Sequence, residues 1–378
     1  MTELPTFDPG FTTPEMSAVF SARRRVEAMI EFEVALAAAT AEAGLVPPEA
    51  AAEIAQACKS LTLDPATIAA STWETGTPLS PLLEAIRAAL PEQSAGWVHH
   101  GATTQDAVDT ALMLQLKEGC AVLERDLTAV AGRLAELAEA HRSHPMMGRT
   151  FLQDAVPTTF GMRAAQWLEP VIREVIELRR VAASLPVQLG GPVGNLAPFG
   201  PTGPEVAAVL ARKLGLVAPV IPWHTDRSYV RAPVRAAEQI AITMGKIGSD
   251  LALLAQSDLA EVTMRAGGSS SMAHKRNPID AVRAVAAASA CTTAAAAVGV
   301  STGHELDRGL GSWHLEWWAV PLAIQAGAAS VAAVGDCLTS LEVDVERMRG
   351  RAGTVDDATL AATTVLIDRV LGWARKAL

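Results

Sequence analysis

Apolar residues recur at three- and four-residue spacing through roughly 16–44, 103–141, 154–185, 226–266, 278–302 and 313–337. That period marks helices with one face turned inward, and several of the stretches are long. The breaks between them carry helix stop signals: Ser143-His144-Pro145, the Pro/Gly-rich 186–204, Gly267-Gly268, and the segment from Gly303 to Gly311. Strand-type alternation is confined to short stretches near Val187-Gln188-Leu189 and from Val217 to Ile221. The pattern predicts an all-α fold with a long central antiparallel bundle over 101–340. An N-terminal helical domain is expected over 1–100 and a short C-terminal helical segment over 341–378. A helix of ~40 residues spans ~60 Å, more than one small domain can cover. Its apolar stripe is therefore expected to pack against other copies of the chain, which makes the bundle an oligomerisation core.

Composition narrows the class. Half of the 378 residues are hydrophobic but only 4% are aromatic, a balance of Ala, Leu and Val that suits close-packed helices better than a sandwich or barrel. The formal net charge is −10, and no basic run occurs outside one loop, so a nucleic-acid partner is not expected. The opening MTELPTFDPGF has no basic stretch leading into an apolar one, and no run of 18 uninterrupted apolar residues occurs. The expectation is a cytoplasmic protein without a membrane partner. Cys58, Cys120, Cys291 and Cys337 lie far apart without C-x-x-C spacing and read as buried, reduced residues. His141-x-x-His144 has no further ligand beside it, so no metal site is expected.

One break differs from the others. The run Gly267-Gly268-Ser269-Ser270-Ser271-Met272-Ala273-His274-Lys275-Arg276-Asn277-Pro278 sets flexible backbone, hydroxyls and basic groups between two helical regions. From Arg265 to Arg283 the positive charges Arg265, Lys275, Arg276 and Arg283 face only Asp280, a local balance of +3 in an acidic chain. With Pro278 fitting the first turn of the next helix, the run reads as a catalytic loop for an anionic substrate. The S-x-x-K and G-x-S-x-G nucleophile patterns both fail, because each needs another residue where Met272 stands.

Four more polar junctions adjoin the long helices. Val98 to Asp106 sets His99, His100, Thr103, Thr104 and Gln105 at a helix start, which serves either as a cap or as a carboxylate cradle. Met147 to Pro157 offers Arg149 and Gln153 to a ligand, with Asp154 expected to cap a helix that has Pro157 in its first turn. Ile221 to Arg227 and His304 to Gly309 are the other two.

Together these segments resemble the fumarase/aspartase superfamily. Gly268 to Pro278 is similar to its GSSxMPxKxN loop, His100 to Asp106 to HGATSQD, Gly148 to Pro157 to GRTxLQxAxP, and Pro222 to Arg227 to PWHTxR. The last three point to its 3-carboxy-cis,cis-muconate cycloisomerase branch. The resemblance implies a homotetramer of three-domain chains with a shared bundle, active sites built from three chains, and no metal or organic cofactor. It implies reversible elimination through a carbanion held as an aci-carboxylate, run in this branch as addition of a carboxylate to a double bond to give 4-carboxymuconolactone. A lyase releasing fumarate from an amine- or nitro-substituted succinate, and a non-catalytic homologue, are the alternative readings.

Carried onto this sequence, the resemblance makes Ser269 and Lys275 the candidates for proton transfer and places Asn277 beside them. A small polycarboxylate substrate needs several cations and donors, for which His100, Thr103, Thr104, Arg149, Gln153, His224, Arg227 and Arg308 are expected. Phe151 stands where related amine-releasing lyases carry a histidine acid and the cycloisomerases typically carry tryptophan. Two departures are Ala273, where proline is usual, and a third domain reduced to Leu341–Leu378.

Overall fold

The structure is a computed structural model that describes residues 10–61, 63–268, 272, 275–301 and 303–378. The N-terminal part contains α1 (Pro14–Val19), α2 (Ala22–Glu42), α3 (Pro48–Ser60), α4 (Pro65–Thr75), α5 (Ser80–Ala88) and α6 (Glu92–Ala95). The central part follows with α7 (Thr104–Ala140), β1 (Pro145–Thr150), β2 (Gln153–Thr159), α8 (Phe160–Ala182), α9 (Gly203–Leu214), α10 (Ser228–Leu254), β3 (Val262–Thr263), α11 (Ile279–Val300) and α12 (Ser312–Thr339). The chain closes with β4 (Glu342–Val343), α13 (Val345–Ala352) and α14 (Asp357–Ala377). Helices α7, α8, α10, α11 and α12 lie side by side around one hydrophobic core, and α2 to α5 with α9 pack around a second at the start of α7.

Small side chains explain how the bundle closes. Gly245 and Gly248 of α10 face the methyl groups of Ala288 and Ala284 on α11, so the two helices approach without large side chains between them. Caps set the ends: the Ser21 hydroxyl accepts the Arg24 N–H at 3.1 Å and the Thr159 hydroxyl accepts that of Met162 at 3.1 Å. The four cysteines are free and buried, as expected.

Helices α11 and α12 are both long and apolar enough to cross a membrane by length and composition alone. Each is a bundle helix, but α12 buries 67% of its most apolar window and α11 only 44%. Along α11, Ile279, Val282 and Val285 are left exposed on one apolar face.

Three expectations need correcting. The helix expected from 154 starts only at Phe160, because Gln153–Thr159 pairs antiparallel with Pro145–Thr150. Val156, Thr158 and Thr159 favour extended backbone there, and Asp154 pairs with Arg149 at 3.0 Å instead of capping a helix. The helix expected over 226–266 ends at Leu254, because the carbonyls of Asp258 and Leu259 are taken by Arg351 and Arg347 and Val262–Thr263 pairs with Glu342–Val343. The strand-like stretches at 187 and 217 amount to one parallel bridge, Pro186 to Val217.

Candidate active site

At the start of α7 the buried Asp106 carboxylate gathers three segments. One oxygen accepts the backbone N–H of Thr103 at 2.9 Å and of Gly191 at 3.0 Å, and the other lies 2.7 Å from His224 Nε2. Charge-assisted bonds of this kind fix the helix end and the 190–194 turn together. The His224 imidazole is buried and wedged against that turn: a Cβ on Gly190 would fall 2.8 Å from its Cε1, so glycine is required.

Beneath lies an ion cluster. Arg227 is buried, with its guanidinium bound to Asp109 at 2.7 and 3.0 Å and to Glu316 at 2.6 and 3.0 Å. Asp109 also accepts from Trp313 Nε1 at 2.9 Å and from Gln105 Nε2 at 3.1 Å. Burial pushes the Asp109 carboxyl up, but Arg227 outweighs it and leaves the group below its ordinary value. For Glu316 burial prevails over Arg227 and the carboxyl rises. Arg227 is expected from sequence to bind substrate, but its N–H groups are taken by these two carboxylates and, at 3.4 Å, by the His224 carbonyl, and none remains for a ligand. Its role is to tie α7 to α12.

Over this floor runs the 303–311 segment. One Arg308 terminal nitrogen donates to the Thr103 hydroxyl and to the Pro192 carbonyl, both at 3.3 Å, while its Nε is buried without a hydrogen-bond partner among the described residues. The His304 side chain is fully buried, 3.6 Å from Glu316, and burial, helped by Arg227, pushes its imidazole below the ordinary value. Leu306 has φ of 45° and is exposed, a left-handed backbone that costs about 1–2 kcal/mol for a residue with a Cβ. Thr104 is the first residue of α7. His100 is half-buried against Trp97, ring centroids 5.2 Å apart, and burial pushes its imidazole down.

The remaining expected residues lie elsewhere. Helix α7 has 37 residues and so runs ~55 Å from Thr103 to the β-hairpin. At that far end Phe151 and Leu152 form a two-residue hairpin tip, both left-handed with φ of 50° and 62°, and Phe151 is 99% exposed. Two-residue hairpins favour Asn-Gly there, so the Phe-Leu tip is strained. Gly148 makes the bulge beside it, since a Cβ would sit 2.7 Å from the Val156 carbonyl. Arg149 is bound to the buried Glu261 at 2.6 and 2.8 Å, and hydrogen bonding to Glu261 raises its guanidinium. Gln153 is exposed.

Ser269 and Ala273 lie outside the described residues. The base of their loop is clasped by Gly267 and Asn277, whose backbones exchange hydrogen bonds of 2.9 and 3.3 Å, and Lys275 is exposed. Arg265 and Arg283 do not contribute to an open positive field, because both bind Asp280, at 2.6 and 3.1 Å. Lys275 and Arg276 are exposed as well. Among the described residues no hydrogen bond or ion pair joins the Thr103–Arg308 group to the hairpin or to the loop. In the sequence Asp106 and His304 stand only as parts of their junctions, without a role, and Asp109 and Glu316 are not named; the acidic pair Asp106 and Asp109, one turn apart at a helix start, is the signal for those two carboxylates.

This combination of fold and polar junctions is that of a lyase. A family model described as Lyase matches residues 10–293, and the chain belongs to that family, within the fumarase/aspartase superfamily. The 3-carboxy-cis,cis-muconate cycloisomerase of Pseudomonas aeruginosa is 40% identical over 97% of this chain and 82% of its own length. Nitrosuccinate lyase of Streptomyces davaonensis is 37% identical over 89% of this chain and 74% of its own. The crystal structure of the 3-carboxy-cis,cis-muconate lactonizing enzyme from Pseudomonas putida superposes with a TM-score of 0.87 at 34% identity, covering 98% of this chain and 86% of that one.

Proposed function

We propose that the chain interconverts 3-carboxy-cis,cis-muconate and 4-carboxymuconolactone, a step in the breakdown of aromatic ring-cleavage products. A substrate carboxylate oxygen adds to the double bond, the electron pair moves onto the carbon beside a second carboxylate, and that carbon takes a proton from Ser269 or Lys275. In reverse the same group removes the proton and the ring carboxylate leaves. No oxidant, reductant or co-substrate is needed. Arg308, Thr103, Thr104 and His100 from one end, with Gln153 and Asn277 from the other, hold the carboxylates. Arg227, His224 and Arg149 position them from behind.

Phe151 carries the reading. It puts an aromatic ring without an exchangeable proton at the hairpin tip, which suits a leaving group that departs as a stable anion and needs no general acid. An amine would need one. Nitrite would not, so the nitrosuccinate reading suggested by one relative stays open to experiment. Loss of ultraviolet absorbance from 3-carboxy-cis,cis-muconate, absent with Ser269→Ala, tests the proposal. Release of nitrite and fumarate from nitrosuccinate without lactone formation would replace it.

The site is complete only if opposite ends of different copies meet, so the proposal includes a homotetramer with shared sites. The exposed apolar face of α11 supports it, as does the exposed hairpin tip. Division of the chain into residues 1–100, 101–340 and 341–378 belongs to the same reading.

A further inference from the structure

Away from these groups, α2 and α4 meet α7 and α12 around a cavity of about 600 Å³. Its walls are mostly apolar, with Met29, Ile68, Leu112 and Pro321 among them. Two polar groups on the wall have no hydrogen-bond or ion-pair partner among the described residues. Arg25 of α2 holds its guanidinium carbon 5.4 Å from the centre of the Trp317 ring, and its side chain makes no ion pair or hydrogen bond among the described residues. The Trp317 indole N–H is buried and has no acceptor. By contrast Arg24, one residue away, pairs with both Glu31 and Glu118.

A cation against apolar walls is costly unless an anion joins it. Burial pushes the Arg25 guanidinium down to about 10, and Asp109 is the charge that opposes this. Arg25 thus remains a cation at neutral pH with its fork of donors unused. An indole N–H is a donor only, so the cavity presents two donors, one of them charged, and no comparable acceptor from this pair. Volumes of ~300–1,000 Å³ hold small organic ligands.

We propose that this cavity binds a small carboxylic acid with an apolar or aromatic body, its carboxylate on Arg25 and Trp317 Nε1 and its body against the walls. Trp317 packs edge-on to Trp313 with centroids 4.9 Å apart, and Trp313 donates to Asp109, so an occupant sits two side chains from the Arg227 cluster. None of the residues proposed to touch the muconate lines it.

The test is calorimetric titration of the purified full chain with benzoate. One saturable site per chain is expected. Arg25→Met should weaken it about tenfold or more, as loss of a charge-assisted bond does, and Trp317→Phe several-fold. Benzamide, of the same shape without the charge, should bind about tenfold more weakly. Arg308→Ala should leave benzoate affinity unchanged, which separates this cavity from a carboxylate site in the active centre. If Arg25→Met does not fold by circular dichroism, Arg25→Lys, which keeps the charge and loses the fork, should still weaken binding. Absence of saturable binding overturns the proposal. So does an affinity indifferent to both Arg25 variants and Trp317→Phe, or one that falls with Arg308→Ala.

Discussion

At the start of α7 the site residues are held by their own chain, whereas ~55 Å away at the hairpin, and at Lys275, they stand exposed. Thr103, His224 and Gly191 converge on Asp106, Arg227 bridges Asp109 and Glu316, and Arg308 rests on Thr103 and Pro192. At the other end Phe151 is almost fully exposed on a strained turn, and Gln153 and Lys275 are exposed too. The first arrangement spends folding energy on a rigid floor; the second makes sense when another copy supplies the missing contacts. Under the proposed function, one end orients an anion and the other, from a second copy, acts on it.

The largest effects should come from the projecting end. Ser269→Ala is expected to lower kcat about a thousandfold with unchanged melting temperature, since general acid–base groups contribute about 10²–10⁴-fold. Arg308→Ala should cost about a hundredfold in kcat/KM, seen in the same absorbance assay, through loss of a charge-assisted carboxylate contact. Refolding an equal mixture of the two variants should restore part of the activity, because some sites then receive both intact ends. Mixtures that stay as inactive as either parent would show that the two ends do not meet.

Stability should respond in the opposite place. Arg227→Ala leaves two buried carboxylates unpaired and is expected to cost about 3–5 kcal/mol, read from denaturant unfolding. Phe151→Ala should change chain stability by less than about 0.5 kcal/mol while lowering kcat/KM about tenfold or more. If Phe151→Ala destabilises as much as Arg227→Ala, the division between floor and reaching tip fails.

The bundle was legible because apolar periodicity survives along α7, α11 and α12, whose caps and flanking glycines stand in the sequence. The hairpin was not. Its turn uses Phe151 and Leu152 where Asn-Gly would announce it, and most of β2 is exposed, so no inside–outside alternation marks it. The polar motifs at 100–106, 148–157, 222–227 and 268–278 pointed to the right family, but not to the work each side chain does. Arg227 and His224 look like ligands in a string of letters. Only the fold shows Asp109 and Glu316 closing around one and the 190–194 turn around the other. Sequence spacing carries no record of contacts made between residues 30 to 118 positions apart.

A last effect belongs to neither end. Glu174 of α8 is buried against α10, where it accepts from Thr243; one carboxylate oxygen meets no hydrogen bond of good geometry among the described residues, and burial pushes its pKa up to about 7. Thr243, Arg173 and Gln239 oppose that rise, and Glu169 adds to it. A carboxyl whose folded value lies above its unfolded one stabilises the fold while protonated, so stability should fall as pH rises from about 4.5 through about 7. The loss is up to about 3 kcal/mol per chain. Glu174→Gln keeps a neutral side chain at every pH, so its urea midpoint should lose less between pH 5 and pH 8 than that of the wild type. Turnover at fixed pH should be unchanged, since Glu174 touches neither the floor nor the tip. Parallel stability curves for the two proteins would mean that Glu174 is ionised throughout, and a fall in kcat would mean that mid-bundle packing sets how the two ends approach.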